Sequence, residues 1–180
     1  MTDIYKITLN MNGLASQTRL EMLEEFLRKQ EKTLHSYRKL PNLNTLNRYA
    51  AYINEGTERR GSTILAREGT TLTNRLPSGR GIAAMYHGIW LVNIYAPSGA
   101  AGRNERQTFY NSDLTYLLPA AHSEMILVGD FRCVLSNTDC TGQRNYSRAL
   151  DSSVRGFNLT DVCEATPPRS IYYHYIPTGA

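Results

Sequence analysis

Short apolar runs and amphipathic stretches alternate along the chain, the pattern of a mixed α/β protein. Ile4–Leu9 alternates apolar and polar residues and predicts a strand, which delivers Asn10-Met11-Asn12-Gly13 at its end. From Thr18 to Lys29 the residues Leu20, Leu23, Phe26 and Leu27 recur at helical spacing. Thr18 and Glu21 form a T-x-x-E capping box that satisfies the first amides of that helix. Tyr49–Ile53 and Ser62–Ala66 predict strands joined by a charged turn, and Gly81–His87 with Ile89–Ala96 predicts a hairpin broken at His87-Gly88. A helix is predicted over Asn104–Leu118, with Phe109, Tyr110, Leu114, Leu117 and Leu118 facing inward and Pro119 ending it. Ser147–Phe157 predicts another, carrying Leu150 and Val154, and Ile171–Tyr175 is a last strand candidate.

The chain is best read around Glu124–Cys140, EMILVGDFRCVLSNTDC. Met125-Ile126-Leu127-Val128 fits a strand buried on both faces, and it runs straight into Gly129-Asp130-Phe131. A carboxylate at the end of such a strand is rigidly held, partly desolvated and open to solvent on one side, which suits a metal ligand. By itself, a Gly-Asp pair in that place closes a turn more often than it binds a metal. One segment breaks the pattern. Glu31–Leu40, EKTLHSYRKL, falls where a strand–helix–strand unit needs its second buried strand, and it is polar and basic with no useful periodicity.

Composition narrows the class. With 180 residues, 41% hydrophobic and 20% charged, the chain suits one globular domain with a real core. A net charge of +4 and a pI near 9.0 are compatible with a polyanionic partner such as nucleic acid, without demanding one. Cys133, Cys140 and Cys163 show neither C-x-x-C nor C-x-x-H spacing, which argues against a disulfide framework or a structural zinc site and for a reducing, intracellular setting. The first residues, MTDIYKITLNMNG, hold no long apolar run, so neither a signal peptide nor a membrane span is expected. Gly79-Arg80-Gly81-Ile82-Ala83-Ala84 matches G-x-G-x-x-A but opens a strand rather than a helix, so no dinucleotide site is expected there.

Asn10, Tyr95 and Asp130 each follow or end a predicted strand. Strand ends of this kind can gather an amide, a phenol and a carboxylate at one edge of a two-sheet sandwich. That set suits a phosphodiester bound to a hard cation, the carboxylate taking the metal while amide and phenol bond to phosphate oxygens. The motifs LNMNG (Leu9–Gly13), NIYAPSG (Asn93–Gly99) and MILVGDF (Met125–Phe131), in this order, resemble the endonuclease/exonuclease/phosphatase superfamily. More narrowly, with RRGSTILAR, LPSGRGIAA, Glu105-Arg106 and YHYIPTGA, the chain resembles the apurinic-type endonuclease domain at the front of non-LTR (LINE-type) retrotransposon polyproteins of arthropods.

The resemblance implies a four-layer α/β sandwich of two packed β-sheets flanked by helices, and Mg²⁺-dependent nicking of DNA that primes reverse transcription. It implies DNA as partner and a nuclear location for a working copy; no membrane partner is expected, and the expected oligomeric state is a monomer. Carried over by position, Asn10 is an active-site amide, Tyr95 the phenol touching the scissile phosphate, and Asp130 the residue aligning the attacking water and a candidate Mg²⁺ ligand.

Three departures from that family pattern predict an impaired copy. The family's principal metal ligand, a Glu at the end of the second strand, falls near Lys39. The charge reversal is a swing on the order of several kcal/mol at about 4 Å and an effective dielectric of about 20. The family's G-D-F-N reads here Gly129-Asp130-Phe131-Arg132, and Arg132 can pair with a phosphate oxygen but repels a cation. The chain also stops before the family's final strands, which carry a further Asp and a Ser-Asp-His motif, so a C-terminally truncated domain is expected. His35, His87, His122 and His174 follow no Ser-Asp and are not expected to replace the base. A one-base deletion with a compensating change near Pro41 is the expected origin of the odd segment: a coding run for EKDIAFLQEVT that loses one A, with synonymous codons chosen freely, reads EKTLHSYRKLP, the residues Glu31–Pro41.

The rival reading is a non-catalytic DNA-binding remnant in which Arg59, Arg60, Arg67, Arg80 and Arg103 hold backbone phosphates. An active phosphatase or deadenylase of the same superfamily fails on the same missing Glu and His.

Overall fold

The structure is a computed structural model that describes residues 6–9, 34–37, 50–56, 61–66, 70–99, 102–119, 124–135 and 146–161. The predicted helix over 18–29, the strand over 171–175, and Asn10, Lys39, Arg59, Arg60, Arg67, His122 and His174 lie outside those residues.

The first sheet holds β1 (Lys6–Leu9), β2 (Leu34–Tyr37), β3 (Ala50–Glu55) and β4 (Gly61–Ala66), in the order β1-β2-β4-β3. The second holds β5 (Thr70–Arg75), β6 (Gly81–Tyr86), β7 (Ile89–Tyr95) and β8 (Met125–Asp130), in sequence order. Two of these strands carry little of the usual pattern. β2 lies inside the polar segment Glu31–Leu40, yet it pairs parallel with β1 and antiparallel with β4. Ladder bonds to two neighbours fix an extended backbone where local periodicity does not. β5, TTLTNR, is a polar strand at the edge of its sheet with a register shift between Leu72 and Asn74, two common ways of blunting an edge.

Side chains alternate between two cores, as strand geometry requires. Ile64 and Ala66 of β4 meet Ile82, Ala84, Tyr86 and Leu91 between the sheets, with Tyr52, Ile89 and Ile126 packed against them. On the other face Ala83, Val92 and Ile94 meet Phe109, Tyr110, Leu114, Leu117, Ala149 and Leu150 from the helices. Sheet, sheet and helical layer are thus stacked among the described residues. One expectation is corrected here. β8 is not buried on both faces, since all six of its residues are partly exposed. The reason is that, among the described residues, β8 is the edge of its sheet and pairs only with β7.

The long helix predicted over 104–118 is three pieces: α1 (Arg103–Thr108), a π-helical turn (Phe109–Asp113) and α2 (Leu114–Leu117). The wider turn leaves Phe109 and Tyr110 fully buried side by side. α3 (Arg148–Gly156) starts at Ser147, whose hydroxyl accepts from the Leu150 amide at 3.3 Å. The hairpin turn is His87-Gly88, both at positive φ (48° and 85°), the twist that a two-residue loop between strands requires.

Parallel pairing then decides where the strand ends fall. β7 and β8 finish side by side at Tyr95 and Asp130, and β1 and β2 finish side by side at Leu9 and Tyr37. Tyr37 lies opposite Thr63 of β4, whose carbonyl accepts from Asn93 Nδ2 across the sandwich at 3.0 Å. Asn54 Nδ2 adds bonds to the Leu76 and Gly81 carbonyls at 2.7 and 2.8 Å, and Ser62 Oγ one to Gly79 at 3.0 Å. Buried polar groups therefore pin the two sheets together at the edge where β1, β2, β7 and β8 end.

Candidate functional site

The site is built from the ends of β7 and β8. Tyr95 shares its face of β7 with Asn93, and Asp130 its face of β8 with Ile126, so both point toward the first sheet. They are register partners, and the Ala96 amide donates to the Asp130 carbonyl at 2.9 Å. Gly129 is required between them. Its φ is +138°, and a Cβ there would lie 1.9 Å from the Ile94 carbonyl oxygen, so only glycine lets β8 approach β7 this closely.

Two guanidiniums complete the group. Arg132 Nε lies 2.9 Å from Asp130 Oδ2, an ion pair whose side chains are 36% and 21% exposed. Arg80 is only 5% exposed; its Nη2 is 3.1 Å from Glu105 Oε1 and its Nη1 donates to the Tyr95 carbonyl at 3.4 Å. The Arg80 and Arg132 guanidinium carbons lie 5.5 and 5.7 Å from the Tyr95 ring centroid, cation–π distance for both. Arg80 therefore leaves the set of surface arginines proposed to hold DNA. It is a buried brace beneath Tyr95, because its start-of-β6 position faces inward and Glu105 satisfies its charge. Arg103 of the same set is exposed.

The loop carrying Arg132 is anchored from behind. The Tyr110 hydroxyl donates to the Phe131 carbonyl, and Cys133 Sγ lies 3.3 Å from the same oxygen. Burial, above all, pushes the Tyr110 phenol far above its ordinary range and also raises the Cys133 thiol, so both stay protonated and Tyr110 stays a donor. Asp113 is raised as well, chiefly by burial, with Glu105 adding and Arg80 opposing.

A divalent cation fits these residues poorly. Among the described residues no three His, Cys, Asp or Glu side chains stand together, and the carboxylate at the strand end, Asp130, holds a guanidinium. Of the residues singled out in the sequence, Tyr95, Asp130 and Arg132 are brought together, and Asn10 lies outside the described residues. Arg80 in its bracing role, Glu105 and Tyr110 were not legible as site residues. A charged residue between two glycines was the available hint for Arg80, and nothing in a buried helix marks Tyr110.

No protein-family model matches the chain, and no curated protein sequence matches it. Solved structures do. An AP endonuclease from Archaeoglobus fulgidus superposes with a TM-score of 0.67 at 16% identity, over 85% of this chain and 69% of that one. The 3'-5' exonuclease NExo from Neisseria meningitidis gives 0.62 at 16% identity, over 85% and 70%. Truncated TDP2 from Caenorhabditis elegans gives 0.54 at 12% identity, over 76% of this chain and 64%, less than two thirds, of that protein. The two-sheet α/β fold of this chain is thus the fold of these three structures.

Proposed function

We propose that the chain is a DNA-directed endonuclease domain of retrotransposon origin whose phosphodiester hydrolysis is impaired. The reading rests on one observation: Tyr95 and Asp130 are register partners at the strand ends, and Asp130 is ion-paired to Arg132. The fold shared with an AP endonuclease and an exonuclease supports a phosphodiester of DNA as the substrate class. The order of LNMNG, NIYAPSG, MILVGDF and YHYIPTGA supports the retrotransposon source, and with it a nuclear place of action.

Within this reading the chain's own groups divide the work. Tyr95 offers its phenol to a phosphate oxygen, and the adjacent guanidiniums make that O–H a better donor. Arg80 holds the end of β7 in place through the Tyr95 carbonyl. Asp130 would orient water only if Arg132 released it. The Mg²⁺ that the family resemblance implies finds Asp130 engaged and Lys39 where the family has its Glu, so no step is assigned to it.

A supercoiled-plasmid assay in Mg²⁺ and in EDTA tests the impairment. The expected result is no difference between the two buffers, and rapid chelator-sensitive nicking contradicts it. Sequencing the coding DNA tests the decay: a run of A one base short is expected before the codons for Thr33–Pro41. A shifted frame that does not spell EKDIAFLQEVT removes the deletion account.

A non-catalytic DNA-binding remnant is the second reading. It is favoured by the exposure of the Arg132 guanidinium at the strand ends.

A further inference from the structure

Arg132 sits where an arginine rarely does. Its φ of 55° lies in the left-handed region that glycine and asparagine tolerate and that bulkier residues occupy at a cost, so the surrounding structure must hold it there. Two anchors do so. The Tyr110 hydroxyl holds the Phe131 carbonyl just before Arg132, and the Ala96 amide holds the Asp130 carbonyl at 2.9 Å. From that backbone the side chain turns back so that Nε meets Asp130 Oδ2 at 2.9 Å and the guanidinium lies 5.7 Å from the Tyr95 ring centroid. Nε uses one of five N–H groups, and the side chain carrying the other four remains 36% exposed.

We propose that Arg132 is a built-in cation that turns the cluster at the ends of β7 and β8 into a metal-independent site for the phosphodiester of a nucleic acid. Its positive charge rests on Asp130, which therefore does not take a divalent ion, and the carboxylate in turn orients the guanidinium. The terminal N–H groups then face the non-bridging oxygens of a phosphate, the planar fork geometry that guanidinium offers and ammonium does not. Strain is spent on this placement because it fixes the direction of the donors before ligand arrives. The proposal rests on this cluster being a phosphodiester site, as proposed above.

Anisotropy of a fluorescent duplex oligonucleotide, at matched ionic strength in EDTA and in MgCl₂, tests it with the full chain. Wild type is expected to bind in EDTA at least as tightly as in Mg²⁺. Arg132→Asn suits the left-handed backbone and should fold. It should weaken binding in EDTA about tenfold, the worth of one charge-assisted hydrogen bond, and lower the slope against log salt by about 1. Asp130→Asn separates the accounts by buffer: it removes the carboxylate that orients Arg132 and should change binding by the same factor in EDTA and in Mg²⁺, whereas loss of a metal ligand weakens only Mg²⁺-dependent binding. Binding that requires Mg²⁺, or that Arg132→Asn leaves unchanged, overturns the built-in cation alone. Absence of binding by folded wild type in both buffers overturns the phosphodiester reading and this proposal together.

Discussion

Two arginines approach the Tyr95 ring at nearly the same distance, 5.5 Å for Arg80 and 5.7 Å for Arg132, in opposite surroundings. Arg80 immediately precedes β6, is 5% exposed, and is tied to Glu105 and to the Tyr95 carbonyl. Arg132 stands on a left-handed turn after β8, more open to solvent and tied to Asp130. The same group is a buried brace in one place and an exposed ion-pair partner in the other, and the backbone that carries it decides which. A guanidinium on a buried strand start is fixed by packing on all sides. One on an exposed turn is fixed only by what that turn was built to hold.

The largest expected effect on stability comes from removing the brace. Arg80→Ala deletes a buried stem, a bond to the Tyr95 carbonyl and the partner of Glu105, and should cost about 2–4 kcal/mol, read as a drop in the urea midpoint. An effect near zero would place Arg80 with the surface arginines after all. Raising the pH acts next, through the anchors behind Arg132. Burial raises both the Tyr110 phenol and the Cys133 thiol, so their protonated forms belong to the fold. Their contribution is whole below the ordinary values, 9.0 for the thiol and 10.0 for the phenol, and is lost as the pH climbs through the raised ones. Thermal melts should hold level up to about pH 9 and fall beyond it, and melts that rise in that range would contradict the burial of these groups.

Tyr110→Phe keeps the ring and deletes the hydroxyl that holds Phe131. It should cost about 1–2 kcal/mol in denaturant and also weaken oligonucleotide binding, because the Arg132 turn is no longer anchored. Loss of stability without loss of binding would separate the two. The smallest effect belongs to Arg132→Gly. Relief of the positive φ gains about 1 kcal/mol, and loss of a half-exposed ion pair costs about 0–1 kcal/mol, so the melting temperature should stay or rise slightly. A large drop would mean that Arg132 is structural, like Arg80.

Much of the sandwich was legible because its inner strands are short apolar runs with turn residues between them, as in β6 and β7. β5 was not, since Thr70–Arg75 holds a single large apolar residue, and an edge strand needs no more. β2 was not legible: Glu31–Leu40 falls where a strand–helix–strand unit needs a strand but shows no strand pattern, and pairing with β1 and β4 supplies what periodicity does not. The π-helical turn left no trace because inward residues in the 104–118 stretch recur at ordinary helical spacing. At the site, Tyr95 and Asp130 could be found because strand ends converge in such a sheet. Arg80 was misplaced on the surface because charge is read as exposure unless a partner such as Glu105 is known to be near. The Arg132–Asp130 contact is two residues apart across a positive φ, a conformation that residue type does not announce.

The most direct measurement is a crystal of the wild-type chain grown or soaked with MnCl₂, examined by anomalous scattering at the ends of β7 and β8. The account predicts no manganese peak on Asp130 and the Arg132 Nε within hydrogen-bonding distance of its carboxylate. A manganese ion bound to Asp130, with Arg132 swung away, would contradict it.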